Sequence, residues 1–403
     1  MKILFCAAPA HGLMLPIIPL VWAARAAGHE VLLATTSDMA DLGARTGLPV
    51  VDVFPDHNIW NDQMRRLSGG GDESDQDLSP AYRQALEAHN PFGMFALTMT
   101  EGSIRAGRDF GADLVVYTSD HVAGALTASA LGVPALEAGN RVSWSMRDAD
   151  FKARSSFVGD EILAALHETN DIPDGGPKLV ARIDPRPPSM GGLPAGVPEE
   201  PDSEDGVPWW PMSFVPYNGG AVLPQWARTT PSRPRVCVTL GTVVPVLAGT
   251  DSLTAVIDAL GGMDVEVVLA TGEADLDSLG DLPDNVTPVG FVPLSAILPT
   301  CSLIVHHGGS GTTAAPMFYG VPQLVLPSFA DNPMSAQRVA DRGIGVQHDP
   351  STVDAATLRD SIARLLTEPS FSVAAQEVAA EMSGQPSPAD VMARTIRSLG
   401  GEA

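Results

Sequence analysis

Basic residues and cysteine are both scarce in this 403-residue chain. It has 24 Lys and Arg against 48 Asp and Glu, a formal net charge of −24. Such a balance argues against nucleic acid or an anionic membrane as partner, because both are held by clustered Lys and Arg. Only three cysteines occur, Cys6, Cys237 and Cys301, each in or beside an apolar run. They read as buried free thiols of a reducing compartment, and no Cys/His spacing has the form of a zinc site. Long apolar runs are missing too. The longest, Leu13 to Ala24, carries Pro16 and Pro19 and is too short to span a bilayer. Met1-Lys2-Ile3-Leu4-Phe5 has one positive charge and a very short apolar segment. It fits a first strand better than a signal peptide, so a cytoplasmic location is expected. Neither the GxGxxG dinucleotide fingerprint nor the GxxxxGK[ST] phosphate loop appears.

What is present is ordinary for a soluble globular protein: 44% hydrophobic and 18% charged residues, with Gly (39) and Pro (35) somewhat above average. The length suits two domains. Long ordered loops are expected from the Gly and Pro content.

The informative stretch is Ile304 to Asn332, IVHHGGSGTTAAPMFYGVPQLVLPSFADN. Leu303-Ile304-Val305 reads as a buried parallel strand. His306, His307 and the run Gly308-Gly309-Ser310-Gly311-Thr312-Thr313 follow, then a helical segment stopped at Gly320-Val321-Pro322, then a strand from Gln323 to Leu326. A Gly-rich turn before a helix presents free backbone N–H groups and the positive end of the helix dipole, which together bind anions such as phosphate. In an acidic protein, a diphosphate should rest on such amides more than on a lysine clamp.

Elsewhere strands and helices alternate. Lys2 to Ala8 reads as a strand, Pro9-Ala10-His11-Gly12 as a tight turn, Pro16 to Ala27 as a helix and Glu30 to Thr35 as a strand. Asp56 to Asp77 reads as a mobile polar loop and Pro80 to Gly107 as mostly helical. Asp113 to Tyr117 reads as a strand ending in Thr118-Ser119-Asp120-His121 before a helix. Arg141 to Trp226 loses the rhythm and is rich in proline, with one helix near Gly159 to Glu168 and a surface loop at Glu199 to Asp205. Arg235 to Leu240 restarts the pattern. A closing helix runs from Ser387 to Leu399.

PAHG near the start, VPYNG in the middle, then TLGT, GFVPL and HHGGSGTT together cover nearly the whole chain. The set resembles the GT-B glycosyltransferases, closest to the bacterial antibiotic enzymes that use nucleotide-activated deoxysugars. The resemblance implies an α/β fold of two Rossmann-like doubly wound domains facing each other across a cleft. Residues 1–216 would form the acceptor domain, 217–234 the linker and 235–384 the donor domain. Residues 385–403 would supply a helix that packs back on the first domain. It implies an inverting, metal-independent transfer from a dTDP-sugar donor to a hydrophobic aglycone, with no cofactor. Oligomeric state is left open, a homodimer included.

Residue by residue, His11 is the candidate general base, since an imidazole titrating near neutrality suits removal of a hydroxyl proton. Its alternative is a loop histidine or a phosphate contact. A carboxylate behind it would hold the tautomer, and Asp120 is the candidate. Relatives place this acid nearer Tyr117, and Asp120 reads equally well as a helix N-cap. His307 with Gly309, Ser310, Gly311 and Thr312 would hold the diphosphate and stabilise the leaving group; His306 is assigned to packing. Thr242 would offer its hydroxyl to phosphate. Phe291 would stack on the nucleobase, with Val292 and Leu294 meeting its edge through backbone groups. Asp331 and Asn332 would bond sugar hydroxyls, Asn332 standing where many relatives have Gln. Apolar loops at Trp144, Phe151, Trp209-Trp210 and Phe214 are candidates for the acceptor pocket. Asp75-Gln76-Asp77, Asp148-Ala149-Asp150 and Asp275-Leu276-Asp277 imitate the DxD metal signature but read as polar loops, so no metal ligand is assigned. Two other readings share this architecture: a sugar-nucleotide epimerase, and a non-catalytic sugar-nucleotide-binding partner that would not need His11.

Overall fold

The structure is a computed structural model that describes residues 1–62, 80–87, 90–154, 157–196, 205–239, 251–270, 272, 280–328 and 330–400. Two all-parallel sheets organise it. The first is built from β1 (Lys2–Cys6), β2 (Glu30–Thr35), β3 (Val50–Asp52), β4 (Leu114–Thr118), β5 (Pro134–Ala138), β6 (Lys178–Asp184) and β7 (Trp209–Pro211), in the order β3-β2-β1-β4-β5-β6-β7. The second is built from β8 (Arg235–Thr239), β9 (Glu266–Leu269), β10 (Val286–Pro288), β11 (Leu303–His306), β12 (Gln323–Val325) and β13 (Gly345–Gln347), in the order β10-β9-β8-β11-β12-β13.

Parallel strands need helical crossovers, and helices on both faces bury both sides of each strand. That is why β1, β4 and β8 read as unbroken apolar runs; every residue of β4 and β8 is buried. The chain order reverses between β1 and β4 in the first sheet and between β8 and β11 in the second. A reversal leaves a crevice at the carboxyl ends of the strands, the usual ligand position in open α/β sheets. His11 follows β1, Asp120 follows β4 and His307 follows β11.

Contacts between the halves are apolar as well as ionic. Val142, Met190 and Phe214 pack with Ala314, Met317, Val325, Ala336 and Val339 in one buried cluster. The last helix, Pro388–Ser398, opens with a reciprocal Ser387/Asp390 capping box. Its Val391, Met392 and Ile396 join the first half's core beside Leu20, Val21 and Ala24. Each such buried side chain contributes about 1.5–3 kcal/mol, and the Arg394 guanidinium covers the Trp210 ring at 4.1 Å.

Several expectations need correction. The arrhythmic stretch after Arg141 contains two strands of the first sheet. β6 (KLVARID) hides its character because its Arg182 and Asp184 are neutralised by neighbours: Arg182 pairs with Asp205 and Glu137, Asp184 with Arg186. Trp209 and Trp210 belong to β7, in register with Arg182 and Ile183, and are 5% and 3% exposed. With Phe214 in the cluster between the halves, these three residues are buried in strand and core positions and not in apolar loops. A helix at Pro369–Ser383 carries too weak a periodicity to be expected from sequence. Residues 59–62 are helical, and residues 63–77 of the expected polar loop lie outside the described residues, as does most of the acidic run at 199–205.

Cys6 and Cys237 are buried, Cys301 is partly so, and all three are free thiols. Among the described residues, no helix is long and apolar enough to cross a membrane.

Candidate active site

β11 ends in His306, which is fully buried and held on both ring nitrogens. Nδ1 accepts from the Gly308 N–H at 3.1 Å, and Nε2 stands 2.8 Å from Gln323 Oε1. Acceptance at Nδ1 places the proton on Nε2, as donor to Gln323. Burial, helped by the neighbouring His307, pushes the pKa down to about 3, with the Gln323 bond opposing. His306 is therefore a neutral brace for the turn.

Gly308 follows at φ +87°, where a Cβ would lie 2.9 Å from the Asn332 carbonyl oxygen. Only glycine fits there. A Cβ on Gly309 would strike His307 Nε2 at 2.4 Å, so the Nε2 corner of the imidazole abuts the turn. The helix Ser310–Tyr319 starts at once, and no acidic side chain occupies its first turn. The amides of its first residues have no carbonyl partner within the helix. Space above Gly311 is open.

His307 Nδ1 is enclosed and has no hydrogen-bond partner. Burial pulls its pKa to about 4, against the charge of Asp331 and a backbone bond to Thr239. At neutral pH it meets a ligand as a neutral ring. Asn332 is 4% exposed with its Nδ2 unpartnered. A polar nitrogen left without a partner in a buried place is a costly feature, and a bound ligand is one way to satisfy it.

Asp331 precedes the helix Asn332–Asp341, after Ala330 at the unusual φ of +53°. Its Oδ2 accepts three bonds: from Arg141 Nε (2.9 Å), Trp144 Nε1 (3.0 Å) and Ser310 Oγ (3.1 Å). Arg141 comes from the first half. Its side chain is 6% exposed, and it also forms an ion pair with Asp120. Asn140 completes the group, donating to Asp120 Oδ2 at 3.0 Å and accepting from Arg141 Nη1 at 2.7 Å. Burial disfavours both charges. The mutual attraction outweighs it, so Asp120 stays below the usual carboxylate range and Arg141 above the usual guanidinium value.

This differs from the expected His11–Asp120 pair: no hydrogen bond joins the two residues, and Asp120 does not cap its helix, where His121 is the N-cap residue. A buried carboxylate is better served by a permanent cation than by a weakly basic ring. His11 stands at the start of a short helix, His11–Met14, accessible to solvent. Crowding by its surroundings lowers its pKa below the ordinary imidazole value, and the charge of Asp38 opposes that shift.

Aromatic rings run from His11 toward Asp331. Trp60 donates its indole N–H to the Pro9 carbonyl and packs on Phe95. Phe95 meets Phe92, Phe92 meets Phe157, and Phe157 reaches Trp144 at 5.9 Å. Trp144 stacks on Phe151 at 4.0 Å. Of the candidate acceptor residues, Trp144 and Phe151 lie on this wall.

Phe291 is 49% exposed, and the Gly219 backbone of the linker packs against its ring. The side chains of Val292 and Leu294 are in the core. Thr242 lies outside the described residues, as do Asp75–Asp77 and Asp275–Asp277. Asp148 is taken by Arg186 at 2.7 Å. Among the described residues no group of three His, Cys, Asp or Glu is placed to hold a metal ion. Arg141 and Asp38 were missed in the sequence. The available signal was a lone arginine just past a strand end in a chain so short of basic residues.

Below neutrality these histidines set a stability trend. His121, His306 and His307 have pKa values of about 4, 3 and 4. The unfolded imidazoles take protons first as pH falls below about 6.5, so stability is full above that value and declines toward pH 4, by about 1.4 kcal/mol per unit for each ring. Glu137, raised to about 7 chiefly by burial, works in the opposite direction. Urea midpoints at pH 7.5 and 5.0 are expected to show a marked fall at the lower pH; equal midpoints would mean these rings are not held neutral.

Two sequence profiles match the chain: erythromycin biosynthesis protein CIII-like, N-terminal domain, over residues 22–241, and the corresponding C-terminal domain over residues 254–398. Elloramycin glycosyltransferase ElmGT of Streptomyces olivaceus is 37% identical over 408 residues, covering 99% of this chain and 98% of that protein. The glycosyltransferase SnogD of Streptomyces nogalater superposes with a TM-score of 0.79 at 32% identity, over 100% of this chain and 99% of its own. VinC, solved with dTDP, gives 0.76 at 31% identity, over 99% and 100%. The chain belongs to the erythromycin biosynthesis protein CIII-like family of GT-B glycosyltransferases, enzymes that transfer a sugar to a natural-product aglycone.

Proposed function

We propose that this enzyme moves a deoxysugar from a dTDP donor to a hydrophobic polyketide-type aglycone, with inversion, without metal, and with His11 as general base. The observation that carries the donor side is the turn between β11 and its helix. An enclosed, unpartnered His307 nitrogen stands there beside the amides of a helix whose own first turn carries no acidic side chain. VinC, similar over its whole length, is solved with dTDP, which supports the same nucleotide here. Phe291 offers an exposed ring for the base, and the partly exposed rings of Trp60, Phe92, Phe157 and Phe151, backed by the buried Phe95 and Trp144, offer an apolar surface for the acceptor.

In this reading His11 removes the acceptor hydroxyl proton as that oxygen attacks the anomeric carbon. The bond from the anomeric carbon to the diphosphate oxygen breaks on the opposite face. The charge released on dTDP is taken by the amides of Ser310, Gly311 and Thr312 and by a His307 N–H. Donors already placed where charge develops need no reorganisation. The imidazolium left on His11 is stabilised by Asp38, while Asp331 and Asn332 meet the sugar.

Calorimetric titration with dTDP and UDP in excess EDTA tests this. The expected result is tighter binding of dTDP, weakened about tenfold or more in His307→Ala, the loss of one charge-assisted bond. Preference for UDP would move the donor to a common hexose. Absence of binding to either, or binding restored only by magnesium, would overturn the proposal.

A further inference from the structure

Asp331 is held asymmetrically. Its Oδ2 takes all three donors, from Arg141, Trp144 and Ser310, and its Oδ1 accepts no hydrogen bond among the described residues. The carboxylate is 23% exposed, so the free oxygen is open to a ligand. A carboxylate gripped at one oxygen by three donors cannot rotate without breaking them, and its other oxygen therefore points in a fixed direction.

Two of the three donors come from the first half. Arg141 is itself immobilised by Asp120 and Asn140 at the carboxyl ends of β4 and β5, and its guanidinium lies 4.5 Å from the Trp144 ring. The direction of Asp331 Oδ1 is thus set by residues across the cleft from the turn that holds the diphosphate.

We propose that Arg141, with Trp144, is a positioning residue for the donor sugar: it fixes Asp331 so that Oδ1 accepts a sugar hydroxyl, and it makes sugar recognition depend on the first half of the chain. This rests on the donor reading above. Its consequence is a separation of two affinities. Bare dTDP, held by the turn and Phe291, does not need Arg141; a dTDP-sugar does.

The test is titration of wild type, Trp144→Phe and Arg141→Lys with dTDP and with dTDP-L-rhamnose. Trp144→Phe keeps an aromatic ring, a smaller one, and removes the N–H, and Arg141→Lys keeps the charge that Asp120 needs. Wild type is expected to bind the sugar nucleotide more tightly than dTDP. Both variants are expected to lose at least fivefold for dTDP-L-rhamnose and to stay within twofold for dTDP. Equal loss for both ligands would reveal a merely structural role and overturn the proposal, as would no loss for either. A wild type with no preference for the sugar nucleotide would leave Asp331 without a sugar contact and also overturn it. Failure of wild type to bind even dTDP would instead overturn the donor site itself.

Discussion

His11→Ala is expected to lower kcat by about 10²–10⁴-fold, the usual contribution of a positioned general base, while dTDP affinity stays within twofold. The two outcomes separate because His11 follows β1, whereas the turn proposed to hold the diphosphate follows β11 in the other sheet. The pH profile carries the same assignment. The base works as the neutral ring, so kcat/KM falls as pH drops through its pKa. Crowding lowers that pKa from 6.5 despite Asp38, which places the acid limb below 6.5 and keeps the base active at neutrality. Single-turnover assays of wild type and variant with a fixed donor and aglycone measure both effects. Turnover unchanged in His11→Ala would remove the base from His11.

Arg141→Ala is expected to cost about 3–5 kcal/mol of folding stability, because removing one partner of a buried pair strands the other. Asp120 has no exposed side-chain surface, and Arg141 is its one ion-pair partner among the described residues. The Asp120 pKa would then rise. A loss of that size is a large part of a typical total of 5–15 kcal/mol. Chemical denaturation of wild type, Arg141→Ala, and Arg141→Ala combined with Asp120→Asn tests it. The double variant should recover part of the loss, since a neutral amide is cheaper to bury than an unpaired carboxylate. A single-variant loss under about 1 kcal/mol would mean that water or a neighbour solvates Asp120.

The sequence by itself determined the elements whose signal is local. Apolar runs fixed β1, β4, β8 and β11. Glycines that no other residue can replace fixed the turn after His307. A helical pattern from Ser387 to Leu399 marked the last helix. Short-range patterns such as these are written by neighbours in the chain, and they carried the α/β architecture and the strand–turn–helix block around His307. What they left undecided is where side chains of mixed character go. Trp209, Trp210 and Phe214 look like the lining of an apolar loop, and only the sheet order made them core. Asp120 sits at a strand end where a base partner or a helix cap is good chemistry. Only the tertiary structure gave it to Arg141, 21 residues away, and joined that arginine to Asp331, 190 residues away. Burial strengthens charge pairing by excluding water, and which charges are buried together is decided by how two sheets and their crossovers pack, not by spacing along the chain.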